Sequence, residues 1–400
     1  MKSIADKYKF ILGKDIMRVL ILSISKRSGH QHAAQAIENA FRQNYPSIKT
    51  INRNFFDIIS NPRMEEMVSN TYLRILRTTP NLWDYLYDNE KVFKKTSRWR
   101  QLISRQTSIK FKEVIDQIRP SVIVCTQAFP GEVTATLKKN GEIDIPLVAI
   151  VTDFVAHAYW VHPEVDLYVV PAEKTKEGLV KHNILSSRIK ILGIPIESVF
   201  EKYYSQLEKE EIIQKQGLKR NIPILLMMGG CQGFAPMKRL VQLIERSKIR
   251  CQILAVTGLH TKLRRELNKL KSELTIPLKV YGYTNNIHEL MSISDLLITK
   301  PGGMTTTEAL VKRLPMIISH PLPGQEEKNS QFLVESGAAI RINSEEEIIS
   351  TINQLLSNRN FILQLQYNMD ELVIHHSTQR IVNEIVHLLT DTGEREFAYA

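Results

Sequence analysis

Cysteine is scarce in this chain. Its three cysteines in 400 residues, Cys125, Cys231 and Cys251, stand far apart and form no CxxC pair. That excludes a disulfide framework and a paired-cysteine zinc site, and it fits a reducing cytosol. Long apolar runs are missing too: none reaches the roughly 18 residues that a membrane-spanning helix needs. The apolar run nearest the start, IMRVLILSIS (16–25), carries Arg18 and follows Asp15, so it reads as a buried strand rather than a signal peptide. No dinucleotide-type GxGxxG follows that run, where the chain has SKRSGHQHAA (25–34), and no GxxxxGK[ST] loop occurs anywhere. Hydride transfer and ATP hydrolysis are disfavoured accordingly.

The chain does have positive charge and a regular alternation. Lys and Arg number 53 against 42 Asp and Glu, a net charge of +11, which favours an anionic partner such as a nucleotide, a nucleic acid or an acidic membrane surface. The length suits two domain-sized cores. Short β-rich runs recur at 17–25, 122–127, 146–153, 167–172 and 189–195, and again at 222–230, 251–258, 278–283, 295–300, 315–320 and 338–343. Helical patterns separate them, so each half reads as an α/β domain with a doubly wound, buried parallel sheet. The charged stretch 197–221 lies between the two series and predicts the boundary.

In the second half the glycines follow the strands. Gly229 and Gly230 come after ILLMM, Gly233 shortly beyond, and Gly302 and Gly303 after LLITK. The stretch TKPGGMTTTEAL (299–310) places a glycine pair, three threonines and the single carboxylate Glu308 between a strand and a helix. Glycine permits close backbone approach, and a helix start presents unpaired N–H groups and a positive dipole end, which together suit phosphate. An ordinary capped strand-to-helix turn uses the same residue types, so the rest of the chain has to decide.

Residues 282–333, GYTNNIHELMSISDLLITKPGGMTTTEALVKRLPMIISHPLPGQEEKNSQFL, resemble the nucleotide-sugar half of the glycosyltransferases that make monogalactosyl- and glucosyl-diacylglycerol. These are relatives of the peptidoglycan N-acetylglucosaminyltransferase. SGHQHAAQAIENAF (28–41) and IVTDFVAHAYWVHPEVDLYVVPAEKTKEGL (150–179) resemble the same family's first-half signatures, in collinear order from about residue 17 to 340. The resemblance implies a GT-B fold, two Rossmann-like domains facing across a cleft, and inverting hexose transfer from UDP-glucose or UDP-galactose to diacylglycerol without a metal or other cofactor. It implies an acceptor and membrane domain at 1–200, a nucleotide-sugar domain at 201–355, and a helical segment at 356–400 that packs back on the first domain. The diphosphate is expected near MMGGCQG (227–233) and the GGMTTTE helix start, with Thr305 and Thr306 offering hydroxyls. Glu308 is expected on the ribose, and Gln325, Glu326 and Asn329 on the hexose.

Transfer needs a base for the acceptor hydroxyl. His30 beside Gly29, Asp153 at a strand end and His157 four residues on are the candidates, although histidines are also ordinary capping or core residues. From Arg74 to Lys112 the chain carries ten bases and three acids. Trp83, Tyr85, Lys94, Lys95, Arg98 and Trp99 are read there as an interfacial surface for an anionic membrane, with nucleic acid disfavoured for want of a recognition motif. The expected place is therefore the cytoplasmic face of a membrane, held peripherally. Lys26 and Arg27 crowd the first loop, where the family has smaller residues. Competing readings are a polyprenyl or other lipid acceptor, a nucleotide-sugar epimerase, and a non-catalytic nucleotide-sugar sensor.

Overall fold

A computed structural model describes residues 17–24, 28–59, 107–230 and 236–398. It divides into two compact units, Met1–Glu197 with His376–Ala400, and Ser198–His375.

The first unit is built on β1 (Arg18–Ser23), β2 (Lys49–Asn54), β3 (Val122–Cys125), β4 (Leu147–Ile150), β5 (Leu167–Val170) and β6 (Ile189–Ile191). All pair in parallel, in the order β2-β1-β3-β4-β5-β6. Successive side chains of a strand point to opposite faces, and β1 shows the consequence. Leu20 and Leu22 join one core cluster with Ile123, Cys125, Ala149 and Tyr168. Val19 and Ile21 join another with Val124, Ile150, Ile37 and Phe41. Both faces are covered, which is why these strands read as continuous apolar runs.

Helix α1 (Gly29–Asn44) starts at Ser28, whose hydroxyl accepts from the Gln31 amide at 3.3 Å. Helix α2 (Ala128–Lys139) follows β3.

The second unit holds β7 (Ile224–Met228), β8 (Gln252–Val256), β9 (Leu278–Tyr281), β10 (Leu296–Thr299), β11 (Met316–Ile318) and β12 (Ala339–Arg341). They too are parallel, in the order β12-β11-β10-β7-β8-β9. Helix α3 (Gly303–Val311) follows β10, and α4 (Gln325–Glu335) follows β11. This unit extends past residue 355 to His375, because Ile348, Ile352, Leu355 and Leu365 are buried in its core. The chain then returns: in α5 (Ser377–Ala398) Ile381, Val382, Ile385 and Val386 are buried in the first unit's cluster around Val19 and Ile21.

The expected α/β architecture is present, with one strand more among the described residues than the apolar runs announced. KTINRN forms β2 at the sheet edge, where only one neighbour is needed and polar side chains reach solvent.

Candidate functional site

Strand order reverses at one point in each sheet, and ligands of doubly wound sheets bind there, outside the carboxyl ends of the strands. In the second unit the reversal lies between β7 and β10. Gly229 and Gly230 follow β7, and Gly302 and Gly303 follow β10 after Lys300 and Pro301, so the two glycine turns are neighbours on one edge. The Thr299 hydroxyl donates to the Met228 carbonyl at 2.9 Å and ties these strand ends together. Gly230 has φ +69°, a conformation that residues with a Cβ rarely adopt. A Cβ there would lie 2.8 Å from Lys300 Cε and 3.5 Å from its ammonium.

Helix α3 begins with Gly302 as its N-cap and has no side-chain cap. Its amides and dipole therefore end on a glycine turn. The threonines differ from one another. Thr306 is fully buried and turns its hydroxyl back to the carbonyls of Gly302 and Gly303, at 2.9 and 3.1 Å. Thr307 does the same to Gly303 at 2.8 Å, while Thr305 is half-buried. The Thr306 donor thus serves the helix itself, unlike the expectation that it reaches a ligand. Glu308 is buried, one turn farther along.

The carboxylate from PGQEEKN comes to this edge as well. Glu326 forms an ion pair with Lys300 through Oε1, and its Oε2 accepts from the Leu322 amide at 3.0 Å. Both side chains of the pair are mostly buried, 15% and 13% exposed. Gln325 opens α4 after Gly324, whose φ is +85°, and is half-buried. Asn329 is fully buried and donates to the Pro301 carbonyl at 3.1 Å, which holds the turn between β10 and α3 to α4. Lys300 went unrecognised in the sequence. Its only signal was its place between the last strand residue and the glycine pair.

In the first unit the reversal falls between β1 and β3. His30, in the first turn of α1, lies there. Its Nδ1 is 2.9 Å from the Thr126 carbonyl and 3.0 Å from the Thr152 hydroxyl. A carbonyl only accepts, so this network assigns the proton to Nδ1 and leaves the lone pair on Nε2. The Thr126 hydroxyl donates to the His30 carbonyl at 2.9 Å, so one residue grips both the ring and the backbone. Burial pulls the imidazole below its ordinary value of 6.5, opposed by the bond to Thr126.

Asp153 is buried and directly follows Thr152, beyond the end of β4. His157 stands in an aromatic group, its ring centre 5.6 Å from that of Tyr159 and 6.1 Å from that of Trp160. Thr126 and Thr152 escaped the sequence reading because nothing distinguishes a strand-end threonine until its partner is known.

Gly233, Trp83, Tyr85, Lys94, Lys95, Arg98, Trp99, Lys26 and Arg27 lie outside the described residues. Among the described residues no group of three or more His, Cys, Asp or Glu is placed to hold a metal ion, and no helix is long and apolar enough to cross a membrane.

The chain matches two family profiles. Residues 30–196 match monogalactosyldiacylglycerol (MGDG) synthase, and residues 224–385 match the glycosyltransferase family 28 C-terminal domain. It is 32% identical over 373 residues to a processive diacylglycerol beta-glucosyltransferase of Bacillus subtilis (strain 168), covering 92% of this chain and 94% of that one. Among solved structures it is similar to MurG of Acinetobacter baumannii, with TM-score 0.61 and 14% identity over 93% of this chain and 99% of that one. It is equally similar to a UDP-GlcNAc 2-epimerase of Neisseria meningitidis bound to UDP-GlcNAc, with TM-score 0.61 and 15% identity over 93% and 100% of the two chains. At those identities the two structures speak for the GT-B fold alone.

Proposed function

The chain belongs to the diacylglycerol glycosyltransferase family, and we propose that the sugar it transfers is a hexose, glucose or galactose, passed with inversion from UDP to the free hydroxyl of diacylglycerol. It is a UDP-sugar-dependent glycosyltransferase whose product is a glycolipid. Repeated transfer onto the first product is the natural extension, since the Bacillus relative is named as processive.

The observation that carries the donor half is the meeting of two glycine turns and the uncapped start of α3 where the second sheet reverses. Backbone amides and a helix dipole at that place suit a diphosphate and the charge that grows on it as the glycosidic bond breaks. In this reading Gly229, Gly230, Gly302 and Gly303 admit the diphosphate, and Glu308 accepts from the ribose hydroxyls. Gln325 and Glu326 meet the hexose, while Asn329 keeps the turn in place through Pro301. No metal is needed for that charge balance.

For the acceptor, His30 is the base. Its Nδ1 proton is committed to the Thr126 carbonyl, and its lowered pKa keeps Nε2 unprotonated at neutral pH, ready to take the hydroxyl proton as that oxygen attacks the anomeric carbon. Asp153 and His157 remain acceptor-side candidates. The basic, aromatic stretch from Arg74 to Lys112 is read as the peripheral contact with anionic lipid.

The test is UDP release from UDP-glucose and from UDP-galactose, with diacylglycerol in anionic vesicles and with vesicles lacking it. Diacylglycerol-dependent release with a matching glycolipid is expected for one sugar. Release without lipid product, or epimerised sugar in place of glycolipid, would overturn the reading.

A further inference from the structure

Lys300 has no part in the chemistry described so far, yet it occupies the strand end where the second sheet reverses. Its side chain does not run into solvent. It is 15% exposed and ends on Glu326, itself 13% exposed. That side chain passes over Gly230: a Cβ at residue 230 would lie 2.8 Å from Lys300 Cε.

Glu326 is in turn held at both oxygens. Lys300 takes Oε1, and the Leu322 amide takes Oε2 at 3.0 Å. Two partners on opposite oxygens fix both the position and the plane of a carboxylate. Each oxygen keeps a further lone pair for a hydroxyl donor.

We propose that Lys300 is the positioning residue for Glu326: through the ion pair it holds that carboxylate aimed, so that the site distinguishes a UDP-hexose from bare UDP. This rests on the reading that Glu326 meets the hexose. Lys300 acts through Glu326 and not on the diphosphate. Removing it weakens recognition of the sugar and leaves recognition of the nucleotide intact.

The experiment measures, on the full chain, the affinities for UDP and for the preferred UDP-hexose in wild type, Lys300→Met, Lys300→Arg, Glu326→Gln and the double variant Lys300→Met/Glu326→Gln. Wild type is expected to bind the UDP-hexose more tightly than UDP. Lys300→Met should erase about tenfold of that preference while UDP affinity stays within a factor of two. Lys300→Arg, which keeps a cation for the carboxylate, should restore most of it. The double variant should be no worse than Lys300→Met alone, as expected for two residues acting as one unit.

A parallel fall in UDP affinity would assign Lys300 to the diphosphate and overturn the proposal, as would additive losses in the double variant. A wild-type preference unchanged in Lys300→Met would overturn the role of Lys300 while leaving the hexose reading in place. Equal wild-type affinity for UDP and UDP-hexose would overturn that reading and the proposal together. Unfolding curves of the two lysine variants separate a folding defect from lost recognition. An unfolded Lys300→Met beside a folded Lys300→Arg of unaltered preference still supports the ion pair, whereas a folded Lys300→Arg without preference counts against it.

Discussion

His30 carries the sharpest expectation for a single side chain. With Nδ1 engaged by the Thr126 carbonyl and Nε2 holding the lone pair, replacing it by glutamine should lower kcat by about 10²- to 10⁴-fold, the usual contribution of a positioned base. UDP affinity should not change, because the proposed donor site lies in the other unit; a normal kcat in this variant would remove His30 from the reaction. The pH dependence has a definite sign. Burial lowers the His30 pKa from 6.5, so kcat/KM should rise with pH through a value below 6.5 and stay level at neutral pH. Stability follows the same linkage: between the lowered value and 6.5 the unfolded chain binds a proton that the folded one refuses. Stability is therefore fully present above about 6.5 and falls as pH drops through that window. Unfolding midpoints of wild type and His30→Gln, compared from pH 7.5 down to 5.5, should converge at the acid end. The glycines and carboxylates of this site were visible in the sequence because strand ends can be recognised locally. Lys300, Thr126 and Thr152 were not, since their roles come from partners 26 to 122 positions away.

Among the elements, the turn after β7 is constrained at Gly230. Gly230→Ala places a Cβ in a left-handed conformation against Lys300. It should destabilise the chain by about 1–2 kcal/mol in urea unfolding and raise the KM for UDP-hexose. At the start of helix Gln206–Lys215, Ser205 and Glu208 form a reciprocal capping box. Ser205→Ala should lower stability by about 1 kcal/mol with activity unaltered. The strands show where local reading succeeds. Eleven apolar runs correspond to eleven strands because a sheet covered on both faces needs apolar side chains at every position. KTINRN has no such requirement at the edge of its sheet, and its composition alone does not separate it from a loop.

For the molecule as a whole, α5 is the element by which the chain returns. It follows the second unit in the chain, yet Ile381, Val382 and Ile385 are fully buried in the core of the first. Ile385→Ala should therefore cost about 2–5 kcal/mol and lower the unfolding midpoint while UDP affinity, assigned to the other unit in the proposed function, is retained. The excess positive charge predicts that the chain co-sediments with anionic vesicles at low salt and is released as ionic strength rises toward 1 M, where charges are screened within about 3 Å. Equal binding to neutral vesicles would count against an electrostatic contact. Fold class, the glycine turns at the strand ends and the family can be read from the chain, because these are written in short contiguous patterns that local conformation and hydrophobic periodicity make readable. Which turns become neighbours, the bond of the Thr306 hydroxyl to its own helix and the meeting of Lys300 with Glu326 emerge in the folded chain alone. The physical reason is that a parallel sheet orders its strands by long crossover connections, so the contacts at its reversal point join residues far apart in the chain.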